Sequence, residues 1–146
     1  MTWNETTDAK GIGFGVAYGA DNFVGFASQW NGGGFDTACT TSPDGSAWSP
    51  CPVSSASFGR PAAGQGAVLV QVDGGYAFTT DGTNWETAKD NFPSQLVFGS
   101  GAADGQGLWV GTSYQRRWVA SSYAGPWQSV ENESGFRDLT AGVVVR

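Results

Sequence analysis

The chain has 146 residues, among them 23 Gly, 7 Trp, 4 Tyr and 9 Phe, with a charged fraction of only 14%. Leu, Lys and Glu are too sparse to build helices and no stretch of helical periodicity exceeds two turns, so the composition belongs to a single all-β domain. A net charge of −6 without a basic run excludes nucleic acid as a partner, since that binding depends on clustered Lys and Arg, and no apolar run approaches the roughly 18 residues of a membrane span.

The opening residues, Met1-Thr2-Trp3-Asn4-Glu5, lack the charged and apolar regions of a secretory signal, and no lipidation motif follows; they point to synthesis in a cytoplasm. A repeated unit then begins near residue 11. Ala20-Asp21-Asn22 turns into the apolar run Phe23-Val24-Gly25-Phe26. Next, Gln29-Trp30-Asn31-Gly32-Gly33-Gly34 sets a large aromatic at the head of a flexible loop. A Ser/Thr-rich strand leads on to Ser42-Pro43-Asp44-Gly45-Ser46-Ala47-Trp48. In the second unit, Gly64-Gln65-Gly66 precedes Ala67-Val68-Leu69-Val70-Gln71-Val72, and Thr79-Thr80-Asp81-Gly82-Thr83-Asn84-Trp85 closes it. In the third, Gly105-Gln106-Gly107 precedes Leu108-Trp109-Val110-Gly111, and the worn copy Ser121-Ser122-Tyr123-Ala124-Gly125-Pro126-Trp127 closes it, with Tyr123 where the Asp should be.

The units span about 11–50, 54–90 and 94–130, and the segment after Trp127 resembles the one from Trp3 to Tyr18, which predicts a terminal strand over 136–146. Trp48, Trp85 and Trp127 are spaced 37 and 42 residues apart. That period suits a four-stranded sheet with short loops, the unit of a propeller blade.

The closing turns have a physical logic. Asp44 and Asp81 accept hydrogen bonds from backbone N–H groups further along the turn. Gly45 and Gly82 supply positive φ without a Cβ clash. Ser42 and Thr79 tie the strand end to the same loop, and Trp48, Trp85 and Trp127 fold back to bury their rings between neighbouring sheets. These residues therefore read as structural turns and core aromatics. Cys39 and Cys51 lie six residues either side of Gly45, within disulfide reach across a hairpin. The alternative is a pair of buried thiols in a reducing cytosol, with Pro50 and Pro52 disturbing the pairing. Two cysteines without a histidine do not make a zinc site, and no cofactor motif is present.

The pattern Ser-x-Asp-Gly-x-x-Trp resembles the Asp-box, or BNR-type, repeat of β-propellers in the short form found in bacterial and bacteriophage proteins. The resemblance implies three propeller-like four-stranded antiparallel blades plus the extra terminal strand. A closed propeller needs about four blades or more, so three units imply completion by oligomerisation or by a partner that covers the raw sheet edges.

Asp-boxes serve many functions, so function must come from sites. Sialidase-like chemistry needs an arginine triad and a Tyr/Glu pair; here the arginines are Arg60, Arg116, Arg117, Arg137 and Arg146, and the absence of His removes the commonest general base. A fragment of such a glycosidase is the weakest reading, and the chain is expected not to be an enzyme. A lectin-like glycan module is the stronger rival, with Trp30, Trp109, Tyr114, Arg116 and Trp118 as candidate stacking and hydrogen-bonding residues, and with Tyr114-Gln115-Arg116-Arg117-Trp118 read as a loop or edge. First stands a structural or adhesion subunit of a virion (capsid decoration, tail or fibre component), assembling with itself and with other virion or surface proteins and reaching the exterior by lysis.

Overall fold

The computed structural model describes residues 15–89, 95–99, 107–113 and 116–131; the strand expected at 136–146 lies outside them. Twelve strands run through the described residues. They are β1 (Gly15–Gly19), β2 (Asn22–Trp30), β3 (Phe35–Ser42), β4 (Ser49–Pro50), β5 (Ala62–Gly64), β6 (Ala67–Val72), β7 (Gly75–Thr79), β8 (Glu86–Ala88), β9 (Gln95–Gly99), β10 (Leu108–Ser113), β11 (Arg116–Ala120) and β12 (Gln128–Glu131). Each run of four consecutive strands pairs antiparallel in chain order, giving three sheets. The chain is all-β, and its sheets occupy 15–50, 62–88 and 95–131.

Tight turns set the register. Ala20 and Asp21 join β1 to β2 with φ of 54° and 56°, a primed conformation whose twist matches that of paired strands. Asn22 Nδ2 donates to Ala20 O at 2.9 Å and holds the turn. Gln65 and Gly66, with φ of 50° and 71°, do the same between β5 and β6.

The sheets pack through their first strands, β1 against β5 and β6, and β5 against β9. We call the face of a sheet that looks toward the next sheet along the chain its front, and the opposite face its rear. Alternation along β2 sends Val24 and Phe26 to the front of sheet one. There they join Ala17 and Cys39 and meet Val68, Val70 and Ala77 on the rear of sheet two, with Phe58 in the same cluster. Leu69, Ala62, Tyr76 and Phe78 form the front of sheet two and meet Leu96 and Trp109 on the rear of sheet three. Burying both faces of sheet two explains why β6 reads as a continuous apolar run and not as an alternating one.

Two connections are pinned. Asp73, in the β6–β7 turn, accepts from Ala56 N at 2.6 Å and from Ser57 Oγ at 3.0 Å. Its own N–H donates to Ser55 Oγ at 2.9 Å, and so the link from sheet one to sheet two is fastened to sheet two. In the β3–β4 hairpin, Cys39 and Cys51 form a disulfide with Cα atoms 5.3 Å apart, beside the backbone bond from Cys51 N to Cys39 O at 3.0 Å. Pro50 does not disturb this pairing, because β4 is an outermost strand and Pro50 sits opposite Thr40 within it.

Several expectations need correction. Arg116 and Arg117 are not on a loop or an edge: β11 is an inner strand, paired with both β10 and β12. The third turn is also offset. Ala120 pairs with Trp109 as Ser42 pairs with Phe23 and Thr79 with Val68, so Ala120, not Ser121, holds the first position of the repeat. The turn is one residue longer, and Tyr123 packs its ring on Phe78 of sheet two at 5.4 Å. The three closing tryptophans are half-buried, not fully enclosed, because each ring lies at the margin of its sheet.

Candidate functional site

The two intact Asp turns have the same wiring. Ser42 Oγ accepts from Gly45 N at 2.9 Å, and Asp44 Oδ1 accepts from Ser46 N and Ala47 N at 2.8 and 3.1 Å. Thr79 Oγ1 accepts from Gly82 N at 2.9 Å, and Asp81 Oδ1 accepts from Thr83 N and Asn84 N at 2.8 and 2.7 Å. Gly45 and Gly82 have φ of 77° and 74°. Asn84 Nδ2 adds a bond to Asp81 Oδ2. Backbone donation from Ser46 holds the Asp44 carboxyl far below the ordinary carboxylate value, and for Asp81 the largest cause is the Asn84 side chain. Asp73 is lowered too, first by the Ala56 N–H.

These carboxylates are spent on turns. Their folded pKa values lie below the unfolded value of about 3.8, so their stabilisation is fully present above that pH and is lost as pH falls through the folded values. Calorimetry from pH 7 to pH 2 should therefore show a flat melting temperature down to about pH 5 and a fall below about pH 4. In Asp81→Asn that acid fall should be shallower.

Neighbouring units are stitched at the same end. Asn22 Nδ2, beside the first turn of sheet one, donates to Asp81 O at 3.1 Å. Gln65, in the equivalent turn of sheet two, donates from Nε2 to Ser121 O at 2.8 Å and accepts from Trp109 Nε1 at 2.9 Å. The closing tryptophans repeat this forward-to-back relation: Trp85 meets Phe26 of sheet one edge-on at 6.0 Å, and Trp127 meets Tyr76 of sheet two at 6.2 Å.

The rear of sheet one lacks such a neighbour among the described residues. Val16 and Tyr18 on β1 lie there, 46% and 57% exposed. Tyr18 pairs with Phe23, and the two rings lie 4.7 Å apart. Trp48 belongs to neither buried cluster and donates its indole N–H to Gly45 O at 3.0 Å. The Thr40 hydroxyl, on the same face, is buried without a hydrogen-bond partner. The registers make Ala63 and Phe98 the counterparts of Tyr18, since they pair with Val68 and Trp109. Both counterparts are packed against the preceding sheet's cluster.

Of the residues named as glycan contacts, Trp109 is wholly buried on Phe98 with ring centres 5.0 Å apart, and Trp118 is buried as well. Neither presents a face to a sugar. They point inward because they share the rear face of sheet three with Gly111. Tyr114 lies outside the described residues, and of Arg116 only the backbone is described.

Trp30 is 60% exposed at the end of β2, opposite Phe35. The loop beside it is closed by hydrogen bonds of its own side chains. Asn31 Oδ1 accepts from Gly33 N and Gly34 N at 3.0 and 2.9 Å, and Asn31 Nδ2 donates to Asp36 Oδ1 at 2.8 Å. Sequence reading gave Asp73 and the rear face of sheet one no role. The Asp73-Gly74 pair was a readable turn signal, whereas nothing in the alternation of β1 tells which of its faces is covered. No family model and no curated protein matches this sequence.

Proposed function

We propose that this chain is a non-enzymatic structural or adhesion subunit of a virion, a capsid decoration, tail or fibre component, built of three propeller-like blades. The observation that carries the reading is the rear face of sheet one. Tyr18 and Phe23 occupy positions whose counterparts in sheets two and three pack against a preceding sheet, and Val16 lies exposed beside them. Apolar surface presented in a packing register is a docking surface. The form of the Asp turns, which resembles bacteriophage repeats, and the low charge of the chain support the virion setting.

The test is quantitative mass spectrometry of particles purified from the lysate of cells expressing the native gene. The reading expects this chain in particles at a fixed stoichiometry to the main coat protein. Recovery only in the soluble fraction overturns it.

A second reading, a glycan-binding module, is favoured by Trp30 alone: an exposed indole beside a hydrogen-bonded turn carrying Asn31 and Asp36 is the geometry that stacks on a sugar ring. A glycan array should then show binding that Trp30→Ala abolishes, and an array without signal removes this reading.

A further inference from the structure

We infer that the surface that covers the rear of sheet one is the front of sheet three in a second copy of this chain, so that copies join head to tail. The inference rests on the docking role proposed above and names its occupant.

Within one chain the same junction is made twice. The front of sheet one takes the rear of sheet two, and the front of sheet two takes the rear of sheet three. Each junction has three parts: apolar residues of the inner strands, a closing tryptophan laid on an aromatic of the preceding sheet, and a side-chain amide from the preceding sheet's first turn on a carbonyl of the following turn. The rear of sheet one offers the receiving half of a third such junction. Phe23 stands at the position of Val68 and Trp109, Tyr18 at that of Ala63 and Phe98, and Trp48 at that of Trp85 and Trp127.

The front of sheet three offers the other half. Val110 is the counterpart of Val24 and Leu69, and it pairs with Val119. Both valines are only partly buried and belong to neither cluster. One face wants an apolar front and the other wants an apolar rear. The two surfaces differ, so the contact is heterologous, and such contacts either close into rings or run on as filaments. The first strands of successive sheets lie together, so the sheets fan about that edge. Closure is therefore the expected result, and two copies supply six sheets, within the range of ring-shaped β assemblies.

The experiment uses the full chain at micromolar concentration and measures mass by light scattering. Wild type is expected at twice the 15.2 kDa chain mass. Tyr18→Asp on the rear and Val119→Asp on the front should each halve that mass, and circular dichroism should confirm that both keep their β content. Tyr18→Phe should retain the wild-type mass. The decisive sample is the mixture of the two Asp variants: one intact rear meets one intact front, so twice the chain mass should return.

Three outcomes overturn the inference. A monomeric wild type means that a different molecule, or the chain's own terminal segments, covers the face. Insensitivity of the dimer to Val119→Asp means that two rear faces meet each other. Two folded monomeric variants whose mixture stays monomeric mean that the contact is not head to tail. A monomeric wild type that is nonetheless stoichiometric in particles would leave the virion role standing with another partner, so failure here and failure of the proposed function are distinguishable.

Discussion

Gly64→Ala is expected to destabilise the fold by about 3 kcal/mol, at the upper end of what overpacking usually costs, and Gly64→Val should prevent folding at 37 °C. A Cβ at Gly64 would lie 2.1 Å from the ring carbon Cγ of Phe98 and 2.4 Å from Cδ1, with the Phe98 Cβ itself at 2.6 Å. Rotating the ring does not clear the site, because the collision includes the ring's first carbon and its Cβ. Only a shift of β9 away from β5 makes room, and that opens the junction between sheets two and three. Gly66→Ala is the control. Its φ, unlike that of Gly64, is left-handed, at 71°, but nothing lies within 4 Å of an added Cβ, so it should cost about 1 kcal/mol from backbone strain alone. Urea denaturation of the three variants checks the order. Near-equal losses for Gly64→Ala and Gly66→Ala would show that the sheets are not held in contact at this point.

Trp109→Ala should cost about 3–5 kcal/mol, the range for emptying a buried aromatic site. The indole is wholly buried against Phe98 between sheets two and three. Its loss also removes the indole N–H that the Gln65 oxygen accepts, while Gln65 Nε2 still holds Ser121 O. Trp109→Phe keeps most of the volume and gives up that hydrogen bond, so its loss should be smaller by about 2 kcal/mol. Trp85→Ala should fall between the two, because that ring is only half-buried and its N–H is buried without a partner. Equilibrium urea unfolding, followed by tryptophan fluorescence, measures all three. A loss under about 1 kcal/mol for Trp109→Ala would mean that sheets two and three unfold independently of each other.

Much of this architecture can be read from particular residues. The Gly-rich turns locate β2, β6 and β10, because an apolar run between a turn and a Ser/Thr stretch has room for one inner strand. The Asp-Gly pairs at 44–45 and 81–82 locate the turns after β3 and β7, since each Asp satisfies N–H groups that lie two and three residues on. Trp118 was misread because its neighbours Arg116 and Arg117 suggest an exposed segment. On a strand, though, adjacent residues take opposite faces, so an arginine beside a tryptophan says nothing of the latter's burial. Trp109 was misread for a related reason, its fate depending on a sheet some 40 residues away in sequence. The rear face of sheet one was not legible at all. Alternation along β1 defines two faces, but only the packing order of the sheets tells which is left bare.

The bridge between Cys39 and Cys51 lies in the hairpin whose turn has no sheet behind it among the described residues. The second and third turns are each anchored from outside, by Asn22 and by Gln65; the first is closed by a covalent bond instead. In a single chain that has not joined another copy, each sheet gains protection from its neighbours and the outer sheets fray first. A crosslink at one terminus breaks that symmetry. Amide protons of β3 should exchange more slowly than those of β11 in the oxidised chain, and a reductant should release the first hairpin while leaving sheet two between its two partners.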